Sequence, residues 1–390
     1  MAITLQRLMQ HIKHKYDLTC MNDTTGMLTK VNWIYYMEDV GILDFIRGGE
    51  IIITTGMNCK EEQWLFALIE QAAKFNASAV IINVGHYIEH IPERVIEFAT
   101  QKNIPVFIMP WQMHIVDLTQ DICNLILIEK QKEFDMEKIF SAFFLKGEPL
   151  DRQVLEEQGV LRNSAFCILK AVWRKNEQKK EHTYMEKYLS DRLEQVCDSY
   201  ITVCEEEAAF VFLQLREERE NSEETIDTIR KQLERKDKTE KVIWGISIIK
   251  QTFDEMKMAK EEAEKALFVA EMKNKSVIAY KDIGVYQILL EVKNREVLKN
   301  IYEEKLGVLN HLPKEEKQMY LDTLRSYIEC NGSIQKVAEK NFLHRNTVNY
   351  RMKKLKEMLS VSLDNEQEKF MLWLSFYIGD MLKSDKNAEK

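Results

Sequence analysis

Short apolar runs alternate with amphipathic stretches in the first third of the chain. GGEIIITTG at 48–56, SAVIINVG at 78–85 and IPVFIMP at 104–110 are rich in β-branched residues, which is typical of buried strands. Between them, KEEQWLFALIEQAAKF and IPERVIEFATQKN repeat apolar residues at helical spacing, and Pro92 stands near the start of the second stretch. Strands separated by such helices predict right-handed crossovers and a mostly parallel sheet, and therefore an α/β domain.

Helical periodicity then continues from about residue 115 to residue 145. The pattern predicts one long connecting helix or two. Such a helix can pair with its copy in a dimer, or it can pack against its own domain as an ordinary amphipathic helix. The periodicity alone leaves both alternatives open.

A second block, from 146 to 290, mixes strand-like and helix-like stretches. The two strands around Glu205, Glu206 and Glu207 indicate a hairpin, so we predict an α+β domain with a partly antiparallel sheet. The predicted strands are FCILKAVW (166–173), ITVCEEE with AAFVFLQL (201–215), VIWGISII (242–249) and SVIAY (276–280), and the predicted helices lie at about 182–198, 222–236 and 254–273.

The last block, from about residue 318, is helical throughout. The amphipathic stretch MYLDTLRSYIEC stops before Asn331 and Gly332, a pair that commonly ends helices. Ser333 offers an N-cap for a short second helix, IQKVAEK. NFL forms a turn, and a third helix begins near His344. Three helices joined by tight turns predict an all-α domain.

The third helix has one apolar stripe, formed by Val348, Met352, Leu355 and Leu359. At about 100° per residue, the opposite face points outward. That face carries Asn346, Asn349, Tyr350 and Lys353, and the N-terminus and flanks carry His344, Arg345, Thr347, Arg351, Lys354 and Lys356. Amides, an aromatic ring and cations on one exposed face are what reading the DNA major groove requires. We expect the side chains of the outward face to contact base edges, and those of the N-terminus and flanks to contact the phosphate backbone. His344 either touches a phosphate or merely begins the helix.

Charge strengthens this interpretation. The whole chain has a formal net charge of -8, yet residues 333–357 contain seven Lys or Arg and two Glu. An acidic remainder limits nonspecific binding, while a local basic face stays attractive to DNA.

Bulk properties limit the remaining classes of protein. With 390 residues, 45% hydrophobic and 30% charged, the chain fits a folded protein of two or three domains. The N-terminus lacks the apolar core of a signal peptide, and no apolar run is long enough to cross a bilayer. We therefore expect a cytoplasmic protein without membrane contact.

Motifs for cofactor or metal chemistry are missing from the sequence. Its seven cysteines contain no C-x-x-C pair, so we expect buried reduced thiols rather than disulfides or a zinc knuckle. Glycines form neither a dinucleotide fingerprint nor a P-loop, and no Ser/His/Asp or Cys/His set stands out. The sequence thus predicts no cofactor, no metal site and no enzyme activity.

Small ligands often bind at the carboxyl ends of parallel strands. In the first domain those ends predict a low-molecular-weight ligand site, with core or strand-ending roles as the alternative. The candidate residues are Thr54, Thr55 and Gly56 after the first strand, Asn83, Gly85 and His86 after the second, and Pro110 and Trp111 after the third.

The stretch GSIQKVAEKNFLHRNTVNYRMKKL resembles the C-terminal helix-turn-helix of the PucR family of purine catabolism regulators, with Arg345, Asn346, Thr347 and Val348 at its R-x-T-[VL] core. Phe342 departs from the related Fis-like pattern, in which glycine often occupies the turn. Upstream, TKVNWIYYMEDVGILDFIRGGEIIITTGM is similar to the N-terminal PucR domain, and WGISIIKQTFDEMKMAKEEAEKALFVAEM is similar to the GGDEF-like middle domain of the same regulators.

The resemblance implies a sensory domain at 1–125, a connecting helix at 126–150, a degenerate GGDEF-like domain at 151–292, a helical linker at 293–317 and a DNA-binding domain at 318–390. It further implies a homodimeric, sequence-specific transcriptional activator that binds a double-stranded operator, senses a small metabolite and controls catabolism of purines or other nitrogen compounds. RNA polymerase is a further candidate partner.

Two alternatives come from other classes of protein. The middle domain could be a nucleotide cyclase, but its predicted hairpin reads CEEEAAF and lacks the glycines that would admit a nucleotide. The C-terminal helices could instead bind a partner protein, which DNA titration would test.

Overall fold

The computed structural model describes residues 3–40, 46–59, 61–150, 152–157, 165–174, 189, 193, 199–205, 207–215, 222–236, 242–363 and 365–388. They form two compact units, Met1–Val160 and Leu161–Lys390. Glu206 of the predicted hairpin and the helix predicted at 182–198, apart from Leu189 and Leu193, lie outside the described residues.

The first unit is built on a five-stranded sheet in the order β1-β5-β4-β3-β2. Four strands run parallel, and β1 pairs antiparallel with β5. The strands are β1 (Thr19–Cys20), β2 (Trp33–Tyr36), β3 (Glu50–Thr54), β4 (Ala79–Val84) and β5 (Val106–Pro110). The prediction of a mostly parallel sheet is therefore confirmed, together with its three central strands.

Helices cover both faces of this sheet. They are α1 (Leu5–Ile12), α2 (Glu62–Lys74), α3 (Glu93–Gln101) and α4 (Ile115–Ser141); a π-helical turn (Ala142–Lys146) and α5 (Arg152–Glu157) follow. α2 and α3 pack on one face with Ile52, Val80 and Ile82, whereas α1 and α4 pack on the other with Ile51 and Ile53. Because both faces are buried, the central strands are continuous apolar runs, which is why the sequence identified them.

α4 is one continuous helix of 27 residues. Its Leu118 and Ile122 are buried against the sheet. On another side, Val116, Leu127 and Phe134 are exposed by 76%, 51% and 51%. The helix therefore presents an apolar stripe that its own unit leaves uncovered.

The second unit contains a five-stranded mixed sheet in the order β10-β9-β6-β8-β7. β6 pairs antiparallel with β8 and β9, β7 pairs antiparallel with β8, and β10 runs parallel to β9. The strands are β6 (Phe166–Trp173), β7 (Ser199–Cys204), β8 (Ala208–Gln214), β9 (Val242–Ile246) and β10 (Val277–Ala279). This arrangement confirms the predicted partly antiparallel sheet.

Among the continuous described segments, two helices flank this sheet, α6 (Ser222–Lys236) and α7 (Met256–Met272). The chain then becomes helical, with α8 (Tyr286–Leu289), α9 (Arg295–Leu306), a 3-10 turn (Gly307–His311), α10 (Lys314–Glu329), α11 (Ile334–Lys340), α12 (Arg345–Leu359) and α13 (Glu366–Ala388). Within the described ranges, every helix is too short or too polar to traverse a lipid bilayer.

α13 belongs to two hydrophobic cores. Leu372 and Phe376 pack with α10, α11 and α12. One turn further on, Ile378 and Met381 pack with α7, α8 and α9. A single helix thus completes both the sheet domain and the C-terminal helical cluster.

The prediction of uniformly buried cysteines is wrong. Cys167 is buried, but the other described cysteines, Cys20, Cys59, Cys123, Cys204 and Cys330, are only partly buried free thiols. Cys197 lies outside the described residues.

Candidate functional site

α10, α11 and α12 form a compact three-helix arrangement. The Ser333 hydroxyl accepts a hydrogen bond from the Lys336 amide at 3.4 Å, which confirms Ser333 as the N-cap of α11. Val337 of α11 and Val348 of α12 are both fully buried between the helices. A short helix, a turn and a longer helix packed in this way have the geometry of a helix-turn-helix.

Phe342 sits in the turn between α11 and α12 with a φ of 53°, in the left-handed region. The Leu343 amide donates to the Ala338 carbonyl at 2.9 Å, so the end of α11 is closed as in helices that end on glycine. The Phe342 side chain is 95% exposed and packs against no core. The turn therefore keeps the geometry that glycine usually provides, although the residue is phenylalanine.

His344 immediately precedes α12. Its Nδ1 accepts a hydrogen bond from the Asn346 amide at 3.3 Å, which makes it the N-cap of α12. Because Nδ1 is the acceptor, the neutral ring carries its proton on Nε2. His344 is exposed, so this second nitrogen remains compatible with a phosphate contact.

The outward face of α12 has the predicted composition. Val348, Met352 and Leu355 are buried, whereas the predicted fourth member of the stripe, Leu359, is partly buried. The four side chains predicted to read bases are all exposed, namely Asn346, Asn349, Tyr350 and Lys353. Their contact with DNA stays a prediction.

The predicted backbone contacts divide into two groups. Arg345 and Lys354 are exposed, whereas Thr347, Arg351 and Lys356 are partly buried. The Lys354 ammonium lies 5.2 Å from the centre of the Tyr350 ring, and its hydrogen bond with Tyr350 raises the pKa of Lys354.

Arg351 is oriented partly inward. It donates a hydrogen bond to the Thr323 hydroxyl of α10 at 3.3 Å, and Thr323 is buried. The guanidinium therefore ties α12 to α10. This internal contact was not apparent from helical spacing alone.

A second candidate site lies at the carboxyl edge of the first sheet. Gly56 and Ile88 meet there, since a Cβ on Gly56 would lie 2.2 Å from the Ile88 methyl group. The loops after β3 and β4 are therefore adjacent. Of the predicted ligand residues, Thr54, Gly56 and Asn83 are buried, Thr55 and Pro110 are partly buried, and Gly85, His86 and Trp111 are exposed.

Glu38 organises the loop after β3. Its carboxylate accepts hydrogen bonds from the amides of Thr55 and Met57 at 2.7 and 3.0 Å. It also accepts from the hydroxyls of Thr54 and Thr55, at 3.3 and 2.7 Å. The sequence contained no signal for this role, because Glu38 follows a short strand that the hydrophobic pattern did not identify.

Aromatic rings gather after β4 and β5. The His86 and Trp111 rings lie 5.0 Å apart between centres, and Tyr87 lies 5.7 Å from Trp111. Gly85 has a φ of 134°, and a Cβ there would lie 2.9 Å from the Trp111 Cβ, so glycine permits this approach. His86 and Trp111 thus lie side by side, with Tyr87 in contact with both, and their binding of a ligand stays a prediction.

The Asn83 side chain is hydrogen-bonded to the backbone of the neighbouring strand, β5. Its side-chain amide donates to the carbonyls of Met109 and Pro110, at 3.3 and 3.0 Å. Asn83 therefore joins the ends of β4 and β5 from within the sheet. This bonding supports the alternative of a structural role at that position.

Comparison with known proteins places both sites in a family context. Residues 9–126 match the purine catabolism regulatory protein-like family, PucR, and residues 320–378 match the PucR C-terminal helix-turn-helix domain. A crystal structure of the regulator of polyketide synthase expression from Bifidobacterium adolescentis aligns at 12% identity over 65% of this chain and 94% of that one, with a TM-score of 0.29.

Three curated relatives from Bacillus subtilis (strain 168) are named as regulators. The purine catabolism regulatory protein is 33% identical over 138 residues, the transcriptional activator AdeR 23% over 137, and the proline-responsive transcriptional activator PutR 28% over 99. These alignments cover 34%, 35% and 25% of this chain, and 26%, 32% and 24% of the respective relatives. The chain thus spans about a quarter to a third of their length. It combines an N-terminal PucR family domain with a PucR C-terminal helix-turn-helix domain.

Proposed function

We propose that this protein is a ligand-responsive transcriptional activator that binds a specific double-stranded DNA operator through α12. The exposed face with Asn349 and Lys353 carries this proposal, because these side chains project away from the buried stripe of the helix. The relatives named above as transcriptional activators support the sign of regulation.

The active form we propose is a homodimer. One recognition helix reads too few bases to be selective alone, so two copies on a pseudo-palindromic operator are needed. α4 supports this assembly through Val116, Leu127 and Phe134. Spacings of about 7 and 11 residues bring these side chains onto one line of the helix, where a second copy would cover them.

The proposed effector is a purine catabolite or another small nitrogen compound. It binds at the carboxyl edge of the first sheet, between the loop held by Glu38 and the rings of His86 and Trp111. The names of two relatives, one tied to purine catabolism and one responsive to proline, support this class of compound. Effector binding would shift the dimer between two states that differ in operator affinity.

A binding titration tests the DNA-binding proposal. The full chain is titrated with DNA upstream of its own and neighbouring genes at two salt concentrations, alongside an Asn349→Ala/Lys353→Ala variant. Lys299→Ala is the control, because it removes an exposed cation from α9 and leaves α12 unchanged. We expect selective, salt-sensitive binding that only the double variant loses.

Two results would favour the alternatives. Binding that shows no preference over random DNA, with and without candidate catabolites, would favour a protein partner for the C-terminal helices. Turnover of GTP by the purified chain would favour a cyclase in the middle domain.

A further inference from the structure

A cavity of about 540 Å³ lies within the second unit, away from the outward face of α12. Its walls come from the end of α7, from α8, α10 and α13. The sheet domain and the C-terminal helices therefore both contribute to it. Its volume is within the range of about 300–1,000 Å³ that small-molecule sites occupy.

Aromatic rings form one wall. Trp373 and Tyr377 on α13 contact each other edge to face, with ring centres 5.3 Å apart. Tyr286 on α8 makes a similar contact with Tyr377 at 5.4 Å. Each ring restrains its neighbour, so the wall is a preorganised apolar surface suited to a planar ligand.

The Tyr286 side chain supplies a hydroxyl to this wall. Tyr286 is only 1% exposed and lines the cavity. A hydroxyl that reaches a cavity can exchange a hydrogen bond with solvent for one with a ligand. Burial raises the pKa of Tyr286, and the hydroxyl therefore remains a donor at neutral pH.

Cations are placed at the rim. Lys273 follows α7, and Lys383 lies near the end of α13. Among the described residues, neither ammonium is within ion-pairing distance of a carboxylate. In contrast, Arg325 is already neutralised by Asp380 at 2.8 Å. Glu329 and Asp380 also line the cavity, so with Arg325 and the two lysines its lining carries an excess of one positive charge.

We propose that this cavity binds a small aromatic anion. The ring lies against Trp373 and Tyr377, the Tyr286 hydroxyl donates a hydrogen bond to it, and its carboxylate or phosphate lies between Lys273 and Lys383. Such a ligand would join the sheet domain to the C-terminal helices. This site is separate from the proposed effector site in the first unit and does not depend on it.

Calorimetric titration of the full-length protein tests the proposal. The probes are indole-3-acetate, adenosine 5′-monophosphate and, as a ring without an anionic group, adenosine. We expect one of the two anions to bind, and which one binds identifies the ligand as a carboxylate or a phosphate. Adenosine should bind at least about tenfold more weakly than the nucleotide if the phosphate is recognised.

Substitutions locate the binding. Lys273→Met should weaken binding of the anion by about tenfold, and Tyr286→Phe, which keeps the ring, should weaken it severalfold. Lys257→Met is the matched control, since it removes an exposed cation at the other end of α7 that does not line the cavity. Thermal unfolding of each variant confirms that it is folded.

Three results would overturn the proposal: no binding of either anion at millimolar concentration, equal binding of adenosine and the nucleotide with no binding of indole-3-acetate, or unchanged affinity in both Lys273→Met and Tyr286→Phe. Operator binding is measured separately on the same preparations. A failure of this site is therefore distinguishable from a failure of the proposed DNA-binding function.

Discussion

One terminal nitrogen of Arg325 donates hydrogen bonds to both carboxylate oxygens of Asp380, at 2.8 and 2.9 Å, and so ties α10 to α13. The pair is about one-third exposed, and solvent screens part of its attraction. We expect Asp380→Asn to lower the free energy of unfolding by about 1 kcal/mol in urea titrations. Asp322→Asn, at an exposed carboxylate of α10, should have a smaller effect; an equal loss would show that the Arg325 contact is not stabilising.

The proposed roles of the α12 side chains predict two classes of variant. Replacing Asn349 or Lys353 by alanine should relax sequence preference, with a cost of about 1–3 kcal/mol on the cognate operator only. Replacing Lys354 or Lys356 should weaken binding to all sequences and reduce the salt slope by about one. Competition titrations against scrambled DNA at several salt concentrations separate the classes. Uniform losses from all four would mean that another face of the helix meets the bases.

Arg351 should combine two effects. Because it donates to the buried Thr323 hydroxyl, Arg351→Ala is expected to destabilise the fold as well as weaken DNA binding. Thermal unfolding in the absence of DNA isolates the first effect.

Phe342→Gly should stabilise the protein. A left-handed backbone costs a non-glycine residue about 1–2 kcal/mol, and the exposed ring contributes no packing that would be lost. Glycine also increases the conformational entropy of the unfolded chain, which offsets part of that gain. We therefore expect a net rise of about 0.5–1 kcal/mol in the free energy of unfolding. Asn331→Gly is the control, since asparagine already tolerates its φ of 49°. A loss of stability in Phe342→Gly would mean that the ring packs in solution.

Glu38→Gln should loosen the loop after β3. The amide retains one acceptor oxygen and turns an NH₂ group towards donors of Thr54, Thr55 and Met57. We expect a loss of about 2–3 kcal/mol in the free energy of unfolding. Glu89→Gln, at an exposed position nearby, should change it by less than about 0.5 kcal/mol. Similar values for both variants would contradict the organising role of Glu38.

For the buried ion pair of the second unit, we predict that the effects of two substitutions on stability are not additive. Lys250 and Glu262 lie 2.7 Å apart with side chains 3% and 6% exposed. Lys250→Met leaves the buried Glu262 carboxylate without its cation and should lower the free energy of unfolding by about 3–5 kcal/mol. Lys250→Met/Glu262→Met should cost less than the single change, although the Ile248 amide then loses its acceptor. Chemical denaturation of the two variants and of Glu262→Met completes the cycle, and additive losses would exclude coupling.

The elements predicted best from the sequence are strands buried on both faces and helices with a single apolar stripe. β3, β4 and β6 were evident because each contains three or more consecutive apolar residues, and α12 was evident because Val348, Met352 and Leu355 repeat at helical spacing. β1 and β2 were missed for the opposite reason. β1 has two residues, and β2 exposes Trp33 and Tyr36 at the edge of the sheet, so neither produces a buried run.

The exposure of candidate site residues was predictable only where a regular helix or strand fixes the direction of their side chains. The exposure of Asn349 and Lys353 follows from helix geometry. The role of Glu38 depends on a loop that folds back across the neighbouring strand, and the cavity at Tyr286 depends on helices distant in sequence. Such contacts are set by tertiary packing, which local periodicity does not encode.

The double membership of α13 has a consequence for modular engineering. Residues 318–390 do not form a cassette that can be transplanted intact, because their excision would uncover Ile378 and Met381 and leave the core around α7 and α8 without one wall. Grafting the proposed DNA-binding helices onto another sensor domain therefore requires α7, α8 and α9 to be transferred with them. If α12 reads the operator as proposed, substituting its outward residues changes specificity more simply and leaves both cores unchanged.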